Sequence, residues 1–146
     1  MYSMDFEEFL WAKGYTNEQI EELYDCMKET KPLTESQYEA MMNNFKDYMI
    51  VGEMLVKEGY KLYFYKNEKG TIEMDFFIRD KDSLIPVEVK ANDNATISLK
   101  NLIESDKYKD IKYGIKLCNK NIGFNGKFYT FPYFLTFLLK RYLKEK

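Results

Sequence analysis

The chain has 146 residues, which is enough for one domain of ordinary size or for a domain with an arm. Its 45% apolar and 32% charged residues, with 13 Tyr and 11 Phe available for a core, exclude a disordered or low-complexity chain. It contains no histidine, which excludes Ser-His-Asp and Cys-His nucleophile chemistry, zinc sites with imidazole ligands and His-based pH switching, and its net charge of −2 gives no sign of a polyanion partner.

That net charge conceals an asymmetry. Residues 1–58 carry 5 Lys and Arg against 13 Asp and Glu, whereas residues 59–146 carry 17 against 11. An acidic half is joined to a basic half, so the basic half offers a surface for a polyanion, or the two halves attract each other. The two cysteines, Cys26 and Cys118, have no CxxC spacing, and the acidic start Asp5-Phe6-Glu7-Glu8 is wrong for a signal peptide. The longest apolar run, Phe131–Leu139, has nine residues where a membrane helix needs about 20. A reduced, cytoplasmic protein with no membrane partner is expected.

The acidic half reads as helical. Asp5 caps a short helix carrying Phe6, Phe9, Leu10 and Trp11, stopped at Gly14. Thr16 and Gln19 form a capping box ahead of Ile20, Leu23, Tyr24 and Met27 at helical spacing. After Pro32, Thr34 and Gln37 repeat the pattern and open a longer helix with Tyr38, Met41, Met42, Phe45, Met49 and Ile50, running to about Glu58 before Gly59. Its methionines read as adaptable core packing.

The basic half alternates. Residues 61–65 form a strand, 67–70 a turn, and 71–79 a second strand with Ile72, Met74, Phe76 and Ile78 on one face. A turn at 80–83 leads into a third strand ending at Lys90. Residues 97–106 form a helix with Leu99, Leu102 and Ile103, residues 111–117 and 127–131 form strands, and a helix closes the chain from Pro132 to Leu143. This order predicts an α/β fold with a central mixed sheet.

One constellation carries chemistry. Glu88 and Lys90 lie two apart on one strand and therefore point to one face, roughly 6.6 Å apart along the chain. If that strand pairs with the preceding one as a hairpin, Asp75 comes opposite them. Two carboxylates converging there repel unless a cation sits between them, and hard oxygen ligands suit Mg²⁺ or Mn²⁺. The alternative is a solvated ion pair between Glu88 and Lys90 beside a polar Asp75. Downstream, Lys107, Lys109, Lys112 and Lys116 form a candidate nucleic-acid contact, with Lys112 and Lys116 expected on one strand face; Lys120 and Lys127 extend the series.

At these residues the chain resembles a known family. Glu73-Met74-Asp75-Phe76-Phe77-Ile78 followed by Ile85-Pro86-Val87-Glu88-Val89-Lys90 resembles the D…ExK core of the PD-(D/E)XK nuclease superfamily. From Gly59-Tyr60 onward, including Asn121-Ile122-Gly123-Phe124, it is similar to the C-terminal nuclease-like domain of prokaryotic AAA+-type ATPases of unknown function. Residues 5–11 and 48–52 resemble the stretch after the ATPase core of the same proteins.

The resemblance implies a restriction-endonuclease-like core of helix, three-stranded antiparallel meander, helix and strand over residues 53–146, with a helical N-terminal arm over 1–52. It further implies Asp75 and Glu88 as metal ligands, Lys90 as base or stabiliser, and DNA or RNA as substrate. Met54 stands where the relatives commonly carry a fourth acidic residue, and Glu53, one position earlier and rotated by about 100° on a helix, either substitutes for it or faces solvent. No G-x-x-x-x-G-K-[ST] loop is present, so ATP is not expected as a cofactor. Three readings stay open: a metal-dependent nuclease, an inactive module of that fold binding nucleic acid or protein, and a structural remnant of a larger ATPase.

The closing helix is apolar nearly all the way round, with only Thr136, Lys140 and Arg141 polar. One stripe packs on the sheet, and the other meets either the acidic arm of the same chain or a second subunit. A homodimer is the expectation, with exchange of the arms as one form of it.

Overall fold

The computed structural model describes residues 5–48, 65–66, 73–74, 76–80, 83–91 and 96–146. The acidic half forms three helices, α1 (Phe6–Ala12), α2 (Asn17–Glu29) and α3 (Glu35–Tyr48). Each starts where a side chain satisfies otherwise unpaired N–H groups of the first turn. Asp5 and Glu8 exchange bonds of 2.8 and 3.0 Å, Thr16 and Gln19 bonds of 3.3 and 2.9 Å, and Thr34 and Gln37 bonds of 3.3 and 3.1 Å. The expected extension of α3 towards Glu58, with Met49 and Ile50, lies outside the described residues.

The strands form two sheets. β1 (Tyr65–Lys66) pairs antiparallel with β2 (Glu73–Met74). The larger sheet has the order β3-β4-β5-β7-β6, with β3 (Phe76–Asp80), β4 (Ser83–Val89), β5 (Gly114–Cys118), β6 (Gly123–Phe124) and β7 (Phe128–Pro132). β3 and β6 run antiparallel to their neighbours, while β4, β5 and β7 run parallel. The architecture is therefore mixed α/β. β1 with β2 and β3 with β4 are both antiparallel pairs, and residue 75, which lies between β2 and β3 in the chain, is outside the described residues.

Both faces of the larger sheet are covered. Ile78, Ile85, Val87, Ile115, Leu117 and Phe131 face the helical arm and the chain's last helix. On the opposite face, Phe77 and Phe128 pack with Leu99 and Leu102 of α4 (Ile97–Ile103). Alternation along β3 therefore buries residues on both sides, not only on the face of Ile78. Gly114 brings α4 close: a Cβ there would stand 2.5 Å from Leu99 Cδ1. The helix is shorter than expected and gives way to a 3₁₀ turn at Asp106–Tyr108. β5 starts at Gly114, later than expected, and the two-residue β6 is too short to leave a period-2 signal.

The closing segment begins as a 3₁₀ helix, Tyr133–Leu138, before becoming α5 (Leu139–Glu145). Six residues is long for this geometry. It is retained where Phe134, Leu135, Phe137 and Leu138 are all buried, at roughly 1.5–3 kcal/mol each.

The apolar perimeter that pointed to a second subunit is covered within one chain. Phe6 meets Phe137 edge-on at 5.5 Å, Tyr38 meets Phe134 at 5.6 Å, and Tyr24 donates to Glu145 at 2.6 Å. Asn121 fastens the arm to the sheet by bonding both backbone groups of Leu33, at 2.8 and 2.7 Å. Of the first helix, Phe6 and Leu10 are buried, whereas Trp11 stays 47% exposed.

Candidate functional site

The site is built on the far end of the face that α4 covers. Residues paired across strands share a face, and successive residues alternate. Pro86 pairs with Phe77 on the α4 side, so Glu88, two residues on, lies on that side too. Lys116 follows Gly114 by two residues and stands in register with Glu88 on one neighbour and Thr130 on the other. A polar row, Glu88–Lys116–Thr130, thus continues the sheet face where the apolar packing of Leu99 ends.

Glu88 is 3% exposed, and its Oε1 lies 2.8 Å from Lys90 Nζ. The spacing of two does place both side chains on one face, as expected, but the pair is not a solvated one. Among the described residues, Glu88 Oε2 is buried with no hydrogen-bond partner. A buried carboxylate oxygen is costly without a donor or a cation.

Lys90 itself is firmly placed. Its N–H donates to the Leu117 carbonyl at 2.9 Å, and its carbonyl accepts from the Tyr133 hydroxyl. Burial pushes the Tyr133 phenol up to about 12, so it stays a donor throughout the neutral range. The backbone is held on both sides while the side chain is one-third exposed, with its ammonium at the edge of the site.

Asp75 and Glu53 lie outside the described residues, as does Met54. Lys107, Lys109 and Lys112 are exposed after α4. Lys116 is not part of that exposed group: it is 4% exposed in the middle of β5, while Lys112 precedes the strand. The two do not share a strand face. Sequence reasoning placed Lys116 among phosphate-contacting lysines, and the signal it passed over is the apolar flank of Ile115 and Leu117. Lys127 forms an ion pair with Glu104. Among the described residues, no three His, Cys, Asp or Glu side chains gather where they could hold a metal. The orphaned Glu88 oxygen nevertheless fits the role of one oxygen ligand to a hard cation.

No helix among the described residues is long and apolar enough to cross a membrane. Residues 48–134, more than half of the chain, match a family described as a domain of unknown function, DUF4143. No curated protein and no solved structure matches the chain.

Proposed function

This chain belongs to the DUF4143 family, a domain of unknown function often found with AAA ATPases, and from that premise we propose that it is a metal-dependent phosphodiesterase acting on nucleic acid. The observation that carries this reading is the buried Glu88 carboxylate, with one oxygen on Lys90 and the other unpartnered among the described residues. Glu88 would offer that oxygen to a Mg²⁺ or Mn²⁺ ion, which takes oxygen ligands. Asp75 is the second ligand of this proposal; Asp75 and Glu88 are the chain neighbours of Phe76 and Val87, which pair across β3 and β4.

When bound, the metal supplies a more acidic water and positive charge for the phosphate oxygens. The chain supplies the rest. The Lys90 ammonium orients the attacking water and offsets the charge that builds on the phosphate. Lys116, in register with Glu88 on the neighbouring strand, sets a basic side chain beside that carboxylate. The water oxygen bonds to phosphorus as the bond from phosphorus to the sugar oxygen breaks, and the proton that the water gives up ends on that sugar oxygen. Lys107, Lys109 and Lys112 contact the phosphate backbone outside the site, and Glu53 is the remaining acidic candidate.

A second reading, a module of the same fold that binds without turnover, is favoured by one observation. Among the described residues, Glu88 belongs to no group of three or more His, Cys, Asp or Glu side chains that could hold a metal.

Cleavage of labelled DNA and RNA strands with Mg²⁺ or Mn²⁺, beside thermal unfolding with and without the metal, separates the two. Cleavage should require the metal and fall at least about 100-fold in Glu88→Gln and Lys90→Ala. A metal at about ten times its Kd should stabilise the wild type by about 1.4 kcal/mol, a gain absent in Glu88→Gln. Salt-dependent binding without cleavage supports the second reading. Equal thermal responses in wild type and Glu88→Gln overturn the metal site.

A further inference from the structure

Three tyrosines from separate parts of the chain meet around one ammonium group. Tyr113 precedes β5, Tyr129 lies on β7 and Tyr142 on α5. Lys146 Nζ stands 3.4 Å from the ring centroid of Tyr129, 4.1 Å from that of Tyr113 and 5.2 Å from that of Tyr142. The Tyr129 ring is at 90° to Tyr113 and 70° to Tyr142, and Tyr142 meets the cation through its hydroxyl end. Phe124, itself 49% exposed, stacks on Tyr129 at 4.4 Å and fixes that wall. This cluster is on the sheet face opposite Glu88, because Tyr129 pairs with Ile115, whose neighbour Lys116 points the other way.

The lysine is an imperfect occupant. A primary ammonium carries three N–H donors. Among the described residues Lys146 makes one hydrogen bond, 3.1 Å to the Tyr142 hydroxyl, and aromatic faces are weak acceptors for the remainder. A quaternary ammonium has no N–H to satisfy, presents methyl groups to the rings, and gains most from an aromatic enclosure. Beside the cluster lies a cleft of about 130 Å³ lined in part by Tyr24, Lys28 and Glu145, which gives room for the chain that carries such a head group. Lys146 is exposed, so its side chain is a plug that can be displaced.

We propose that Tyr113, Tyr129 and Tyr142 form an aromatic cage for a quaternary ammonium group, closed in this structure by the ammonium of Lys146. The cage does not depend on the phosphodiesterase reading. A tethered competitor lowers apparent affinity by the fraction of time it occupies the site, so Lys146→Ala should tighten binding about 2–10-fold.

The test is titration of the full chain with tetramethylammonium, choline and a trimethyllysine peptide, against the unmodified lysine peptide, read from the methyl proton resonances. Saturable upfield shifts that strengthen in Lys146→Ala, persist in Tyr113→Phe and vanish in Tyr113→Leu support the cage. Preference for choline or for the trimethyllysine peptide identifies the source of the head group. Should Tyr113→Leu fail to fold, the comparison of wild type with Lys146→Ala still decides. Absence of saturable binding to Lys146→Ala, or equal binding of methylated and unmodified peptides, overturns the proposal.

Discussion

Glu88 and Lys116 are in-register neighbours on the parallel strands β4 and β5, 3% and 4% exposed respectively. Two ionisable residues side by side inside a sheet are energetically coupled, since each sets the electrostatic surroundings of the other. A double-mutant cycle with Glu88→Gln and Lys116→Met should therefore give a coupling energy of about 0.5–3 kcal/mol in urea unfolding. Additive effects would show that the two charges are stabilised independently.

The closeness of α4 to β5 depends on Gly114. An added methyl group there meets Leu99 Cδ1, the tip of a fully buried side chain, and Ile103 Cδ1 at 3.2 Å. Gly114→Ala should cost about 1–3 kcal/mol through overpacking. Leu99→Ala alone should cost about 2–5 kcal/mol through the cavity it leaves. Because each change relieves the other, the double variant should be less destabilised than the two single costs together, and chemical denaturation of the four proteins measures this.

Docking of the arm rests on Phe6, which is 1% exposed and meets Phe45 and Phe137 edge-on, each at 5.5 Å. Phe6→Ala should destabilise the whole chain by about 3–5 kcal/mol in a single transition, because arm and sheet share one core. Deleting residues 1–30 uncovers Phe137 and Leu143 and should convert the chain to associating species in light scattering. A truncated protein that stays at the mass of one chain would contradict this account of the last helix.

Acid should weaken the join between α2 and α5. Arg141 Nη2 donates to Glu21 Oε2 at 2.8 Å, and this guanidinium holds the Glu21 carboxyl below its ordinary 4.5. The Tyr24 hydroxyl does the same for Glu145. A depressed carboxyl contributes stability above its unfolded value and loses it as pH falls through the folded one. Both carboxylates are exposed, so the effect is small. Glu21→Gln should lower the urea midpoint at about pH 7 and should differ little from wild type at about pH 3. At the other end, burial and Glu145 push the Tyr24 phenol up to about 12, and stability should decline as pH rises from about 10 towards that value.

Features encoded within a few residues were legible in the chain itself. Thr16 and Gln19 bond because a helix start needs donors satisfied three residues apart, and both residue types stand at that spacing. Glu88 and Lys90 share a face because strand side chains alternate with period two. The buried stripe of Ile20, Leu23, Tyr24 and Met27 follows from helical periodicity in the same way.

What the tertiary structure decided are relationships between distant residues. Lys116 reads as one more surface lysine until parallel pairing sets it beside Glu88. Phe124 belongs to a strand only because Tyr129 lies next to it. The last segment reads as an uninterrupted amphipathic problem, and its start becomes 3₁₀ where burial against the arm and sheet outweighs the poorer hydrogen bonds. The partner of its second apolar stripe could be this arm or another copy's, since hydrophobic burial is non-directional and pattern alone names no partner. In this structure Phe6 of the same chain packs on Phe137.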